Sequence, residues 1–281
     1  MLSSNLAGGL GNQLFQIFFL ISLATEYNTP WYIVPTPVVG NRPSYWNSIF
    51  RNCEPMFKHM YLFPPNATTE KQLSLISKPL MTQMLLSTNT ILVGYFQDYK
   101  LFEKHYAYIC DFLGIRSIQQ DISSKYKYPY GSTTSMHFRY GDYKKLQDHY
   151  NLLQYTYYHN ALLNVLQNET PISLTNNILI FYELPDYEEV NEIVSQLKTV
   201  PMFSRIHFMY IDSSIPDWAQ LIIMSCCKNN IIANSTFSWW GAYLNSNTTK
   251  RVCYPSVWYK KKLSHLPLRG LSVPTWKSIA S

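Results

Sequence analysis

Asn177–Ile211, NILIFYELPDYEEVNEIVSQLKTVPMFSRIHFMYI, reads as a strand, a helix and a second strand. Asn177 to Tyr182 is a short apolar run of β-forming residues, the pattern of a strand buried on both faces. Val190, Ile193, Val194 and Leu197 recur at spacings of three and four, which puts them on one face of a helix. Ile206 to Ile211 is again a strand. The same alternation extends in both directions. Upstream, Thr134–Arg139 is a strand followed by the loop Tyr140–Tyr143. Tyr155, Tyr158, Leu162 and Val165 then mark a helix over Leu152–Gln167. Downstream, Pro216-Asp217 opens a helix, Asn230–Asn234 is a strand, Thr236–Leu244 a helix and Arg251–Tyr254 a last strand. Such alternation predicts an α/β fold: a parallel sheet with helices on both faces.

The N-terminal half repeats the style with less regularity. A glycine turn, Gly8-Gly9-Leu10-Gly11, opens an apolar helix to about Tyr27, and Trp31–Val34 reads as a strand. Pro35, Pro37 and Pro43 break the chain. Thr90–Phe96 is a strand and Asp98–Phe112 a helix. Lys125–Gly131, rich in tyrosine with Pro129 and Gly131, reads as a linker. The expected domains are therefore 1–128 and 129–281, two Rossmann-like halves facing a cleft.

Composition removes whole classes of function. The chain has 281 residues, 47% hydrophobic and 14% charged, too apolar for disorder and long enough to bury a full core. The net charge of +6 favours phosphate-bearing or acidic ligands. The basic residues are scattered, and Lys144-Lys145 and Lys260–Lys262 are short runs of the kind found on solvated loops, so a nucleic-acid binder is not expected. Five cysteines without regular spacing read as reduced thiols of a cytosolic protein, and no Cys and His pairing has zinc-ligand spacing. Ile17–Ala24, with Leu14 and Phe15 before it, is too short to span a bilayer, and neither a basic region nor a cleavage site flanks it. The expectation is a cytoplasmic protein without a membrane span. Four glycosylation sequons, at Asn66, Asn168, Asn234 and Asn247, carry meaning only in a secretory compartment.

In open α/β sheets the ligand lies beyond the carboxyl ends of the strands. The unusual residues fall there: Arg139 and Asp142 after one strand, Glu183 and Asp186 after the next, and Ser235-Thr236-Phe237-Ser238 after a third. Alternation puts His137 and Arg139 on one side of their strand, opposite Phe138. An arginine at a strand end can make paired charge-assisted bonds to a diphosphate; its structural alternative is an ion pair with Asp142. Ser235–Ser238 offers hydroxyls and helix-start N–H groups to a phosphate, or else a helix cap ahead of core tryptophans at Trp239 and Trp240. His137 fits either a core histidine or a catalytic one. The turn Gly8–Gln13 fits a ligand approach or a tight corner; it lacks the third glycine of a dinucleotide fingerprint and the Lys-Ser/Thr of a P-loop. No Asp-x-Asp or His-Glu-x-x-His occurs, so a metal-held diphosphate has no sequence support.

Three segments together, GGLGNQLFQ at Gly8–Gln16, HFRYGDY at His137–Tyr143 and NSTFSWWGAYL at Asn234–Leu244, resemble the α-1,2-fucosyltransferase family, glycosyltransferase family 11. The resemblance implies a GT-B fold and GDP-fucose as donor. It also implies transfer with inversion to a glycan hydroxyl, the 2-hydroxyl of a galactoside-type sugar, with no metal or other cofactor. It implies that Arg139 holds the donor diphosphate with His137 beside it, and that Ser235, Thr236, Phe237 and Ser238 receive the β-phosphate. Gly11, Asn12 and Gln13 would face the diphosphate or fucose from the other domain. Two positions depart from the family pattern. Tyr140 replaces the second arginine of His-x-Arg-Arg-Gly-Asp, and Phe181-Tyr182-Glu183-Leu184 stands where Phe-Ser-Asp-Asp is usual, which leaves Glu183 at the nucleoside contact. Asp142 is the first choice for general base, ahead of Asp148 and His149. A different nucleotide sugar, or a binding module without turnover, are the competing readings.

Overall fold

The run Asn177–Phe181 is a strand buried on both faces: Ile178, Leu179 and Ile180 expose no surface and Phe181 almost none. A computed structural model of the protein describes residues 1–39, 42–60, 66–73, 75–87, 89–167, 177–263 and 268–281. The chain divides into two compact units, Met1–Ile118 and Gln119–Ser281.

Unit 1 contains β1 (Leu2–Ser4), α1 (Leu10–Glu26), the short pair β2 (Val38–Val39) and β3 (Arg42–Pro43), β4 (Asn66–Thr69), α2 (Glu70–Leu73), α3 (Lys78–Ser87), β5 (Thr90–Val93) and α4 (Tyr106–Leu113). Its sheet is three-stranded and parallel, in the order β1-β5-β4. α1 is apolar around almost its whole circumference, and Leu14, Phe15, Ile17, Phe18 and Leu20 are completely buried, as an all-round apolar helix requires. Two expectations are corrected here. Trp31–Val34 is not a strand: it makes only isolated bridges, Leu2 with Trp31 and Ile33 with Phe57, between Pro30 and Pro35. Asp98–Phe112 is not one helix. Asp98 caps a 3₁₀ turn, Tyr99–Leu101, by accepting from Lys100 N–H at 3.0 Å. Phe102 then leaves helical geometry to bury its ring 5.3 Å from that of Phe18, so α4 starts only at Tyr106.

The helix α5 (Ile115–Lys125) runs up to the expected linker, and the two compact units divide within it, between Ile118 and Gln119.

Unit 2 contains β6 (Thr133–His137), α6 (Tyr155–Leu166), β7 (Asn177–Phe181), α7 (Tyr187–Lys198), β8 (His207–Tyr210), α8 (Asp217–Cys226), β9 (Asn229–Ile231), α9 (Thr236–Tyr243), β10 (Val252–Pro255) and β11 (Lys277–Ile279). The sheet is six-stranded, parallel throughout, with the order β11-β10-β9-β6-β7-β8. Chain order therefore runs outward one way from β6 and then the other way from β9, the doubly wound order of a Rossmann sheet. α6 packs with α7 and α8 with α9. The α6/α7 side forms the cluster of Phe138, Tyr157, Tyr158, Leu162, Val194 and Leu197. On the other side Met224 of α8 presses on Gly241 of α9, where a Cβ would lie 2.7 Å from Met224 Cβ. Trp239 and Trp240 are fully buried core residues.

All five cysteines are unpaired thiols, and burial pushes Cys53 and Cys253 up to about 12. Among the described residues no helix is long and apolar enough to cross a membrane. Asn234 of the third sequon is wholly buried; Asn168 lies outside the described residues.

Candidate functional site

In unit 2 the winding reverses between β6 and β9, which are hydrogen-bonded neighbours. In this topology the ligand crevice lies beyond the carboxyl ends of those two strands, where helix directions diverge. Each strand delivers one of the recognised segments to that edge.

β6 delivers His137 and, just past its end, Arg139. The pleat turns Phe138 into the core, where it stacks on Tyr158 with centroids 3.9 Å apart. His137 is 7% exposed, lies 5.6 Å from the Phe237 ring, and its Nδ1 has no hydrogen-bond partner. Burial, reinforced by the Arg139 charge, pushes its pKa down to about 3, so the imidazole is neutral at pH 7. It can exchange a hydrogen bond with a ligand, but it is a weak proton acceptor.

The Arg139 side chain is only 16% exposed and bridges two carboxylates, with Nη2 at 2.5 Å from Asp142 Oδ1 and Nη1 on Glu183 Oε1. It also lies 5.1 Å from the centroid of the Tyr143 ring. Burial by itself would lower its pKa; Glu183, Asp142 and Tyr143 outweigh that, and the net shift is upward. The ion pair with Asp142 foreseen as the structural alternative is thus present, and Glu183 joins it.

These contacts hang on a 3₁₀ turn, Gly141–Lys145. Gly141 has φ +36°, and a Cβ there would stand 2.6 Å from Glu183 Oε2, so glycine leaves the room the carboxylate takes. Asp186, itself buried, accepts from the Gly141 N–H at 2.8 Å and from Lys144 at 2.9 Å, while Lys144 also pairs with Glu189. The Tyr143 hydroxyl donates to Asn234 O at 3.1 Å and its ring stacks on Tyr150 at 4.0 Å. The turn after β6 is therefore tied both to the loop after β7 and to the segment after β9. Tyr158 donates to His137 O at 3.2 Å, fixing the strand end from below.

β9 leads into the start of α9. Ser235 is the N-cap and its Oγ accepts from Phe237 N–H at 3.3 Å. Ser238 Oγ donates to Ser235 O at 3.4 Å and is buried, whereas Thr236 and Phe237 are half-buried. Both serine hydroxyls thus shape the helix start, whose positive end favours an anion. Asn234 donates to Asn151 O and Trp258 O, and its buried Oδ1 has no partner.

The remaining predicted residues are placed as follows. In unit 1 the turn is left-handed at Gly8, φ +78°. Gln13 is completely buried and donates to Gly8 O at 3.0 Å and Pro43 O at 3.2 Å, bracing the turn. Gly11 is also buried, and Asn12 Oδ1 accepts from Gln97 at 2.9 Å. Tyr140, at the place of the family's second arginine, points inward and donates to Leu153 O at 2.8 Å. Asp148 is exposed and paired with Lys262 at 3.0 Å. From sequence alone Tyr143 and Lys144 carried no site role; their signal was position within His137–Lys145. Beside this turn a cavity of about 480 Å³ opens between Tyr140, Lys144, Gln154, Tyr155, Glu189 and Glu192, and none of the predicted site residues lines it. Among the described residues no three His, Cys, Asp or Glu side chains converge as metal ligands.

The profile of glycosyl transferase family 11 matches residues 83–276, more than half of the chain. The chain belongs to glycosyltransferase family 11. Over 187 residues this family 11 chain is 31% identical to the O-antigen biosynthesis glycosyltransferase WbnK of Escherichia coli, a match covering 60% of the chain and 55% of WbnK. It thus spans about half the length of that relative. Over 285 residues it is 24% identical to an α-1,2-colitosyltransferase of Escherichia coli, covering 92% of each. Among solved structures, the ADP-heptose lipopolysaccharide heptosyltransferase II of Escherichia coli aligns over 99% of the chain and 89% of its own, with a TM-score of 0.51 at 10% identity. At that identity the likeness is one of fold: α/β with parallel sheets, of the GT-B type.

Proposed function

We propose that this family 11 chain transfers fucose from GDP-fucose, with inversion, to the 2-hydroxyl of a galactoside-type sugar in a glycan acceptor. The observation that carries the reading is that neighbouring strands at the Rossmann switch point deliver Arg139, 16% exposed, and the start of α9, with His137 lying 5.6 Å from the Phe237 ring. The diphosphate binds Arg139 and lies along Ser235–Ser238, with neutral His137 offering a hydrogen bond. As the bond from fucose to the β-phosphate breaks, negative charge grows on the phosphate, and Arg139 and the helix start stabilise it. Asp142, half-exposed on the same turn, is the general base for the acceptor hydroxyl. Unit 2 is the donor-binding unit and unit 1 the acceptor-binding unit. With positive charge supplied by Arg139 and the helix end, the donor binds without a metal, in a cytoplasmic enzyme.

The relative matching 92% of the chain is a colitosyltransferase, which favours a second reading in which the linkage is the same and the sugar differs. A transfer assay decides between them. The protein is incubated in chelator with GDP-fucose, GDP-colitose or GDP-mannose and a panel of galactose-terminated oligosaccharides, and products are read by NMR. An α-1,2-fucosyl product supports the first reading. Preference for GDP-colitose moves the donor, and donor binding without hydrolysis or transfer would reduce the protein to a binding module.

A further inference from the structure

The Arg139 guanidinium donates from Nη1 to Glu183 and from Nη2 to Asp142. We infer that Glu183 holds the place on Arg139 that the donor diphosphate takes, and that donor binding requires this carboxylate to be expelled. The inference rests on the reading of Arg139 as the diphosphate-binding residue.

Charge makes the need for a placeholder plain. A guanidinium only 16% exposed needs a counter-charge when no ligand is present. With Asp142 and Glu183 in place the cluster carries one positive and two negative charges, a net repulsion toward an incoming diphosphate. Lys144 cannot offset it, because Asp186 and Glu189 already engage its ammonium.

Geometry says which carboxylate leaves. Asp142 sits on the same turn as Arg139, three residues on, and moves with it. Glu183 reaches across from the loop after β7, with extended backbone and a side chain 46% exposed, so rotation about its own side-chain bonds carries it into solvent. Its resting place is built: Gly141 leaves the volume its Oε2 fills, and Asp186 pins the Gly141 N–H so that the volume stays open. Glu183 is thus a specificity determinant, set so that only a ligand with enough charge to displace a carboxylate captures Arg139. It is not a nucleoside contact in this state.

The test is calorimetric, at fixed ionic strength, on the whole chain and on Glu183→Gln and Glu183→Ala. The probes are inorganic pyrophosphate, GDP and guanosine. Removing one competing negative charge is expected to tighten pyrophosphate and GDP by about tenfold in both variants, and to leave guanosine unchanged. Unchanged or weaker pyrophosphate binding in the folded variants overturns the inference, as does weaker guanosine binding, which makes Glu183 a nucleoside contact. The two readings fail separately. Tightened pyrophosphate without any guanosine nucleotide binding leaves the placeholder standing and removes GDP-fucose as donor. Absence of pyrophosphate binding in all three proteins overturns the placeholder.

Discussion

Asp186 lets the support of the site be separated from its chemistry. Its carboxylate is buried, accepts the Gly141 N–H at 2.8 Å and meets Lys144 at 2.9 Å. Asp186→Ala leaves a part-buried backbone donor without its acceptor, which costs about 1–3 kcal/mol. It also removes an ion pair whose lysine is one-third exposed, worth about 0–1 kcal/mol after solvent screening. The total is about 1–4 kcal/mol. Asp186→Asn keeps an oxygen for the N–H and loses only charge, so about 1 kcal/mol is expected. Urea unfolding of both variants measures the difference, and kcat/KM follows it, because the turn released from Asp186 is the one that carries Asp142 and Tyr143 against Arg139. Equal losses in the two variants would mean that the Lys144 charge pair, and not the backbone bond, holds the turn. A loss below about 0.5 kcal/mol in Asp186→Ala would mean that the turn holds without it.

Three further outcomes follow from the same geometry. Arg139→Lys is expected to lose about a hundredfold in turnover, close to the loss in Arg139→Ala, since lysine cannot form the planar fork; near-normal turnover in the lysine variant sinks the bidentate role. His137, pushed down to about 3 when folded, binds its proton only in the unfolded chain between that value and its ordinary 6.5. Its contribution is therefore complete above pH 6.5 and is lost as pH falls toward 3, by at most about 1.4 kcal/mol per pH unit. Melting temperatures at pH 7 and pH 5 should diverge less in His137→Phe than in the parent, and an equal divergence rules out His137 as the source. Gly241→Val forces a side chain against Met224 where even a Cβ comes within 2.7 Å, and overpacking of α8 on α9 should cost about 1–3 kcal/mol and weaken GDP binding through the displaced α9 start. A stable variant with parental GDP affinity refutes that coupling.

The C-terminal sheet was legible because its strands are apolar runs and its helices are strongly periodic. Asn177–Phe181 and Val190–Leu197 came out as read, and Arg139 moved only from strand to loop. The N-terminal half was read less well for identifiable reasons. β1 spans only Leu2–Ser4, too short for alternation to register, and Trp31–Val34 has strand composition without strand partners. The helical pattern of Asp98–Phe112 concealed a break set by burial of Phe102, a tertiary contact invisible to local spacing. At the site, alternation correctly separated His137 from Phe138, and the Asp142 pairing followed from its three-residue spacing. The Glu183 bond to Arg139 joins two loops far apart in sequence, and Gln13 spends its amide on Gly8 and Pro43; neither can be read from residue type.

The measurement closest to the central claim is calorimetric titration of GDP-fucose into the chain and into Arg139→Ala, with chelator present. Binding by the parent that the substitution abolishes, in a protein with an unchanged melting profile, is the expected result. Equal affinity in the two proteins would contradict the placement of the donor diphosphate on Arg139.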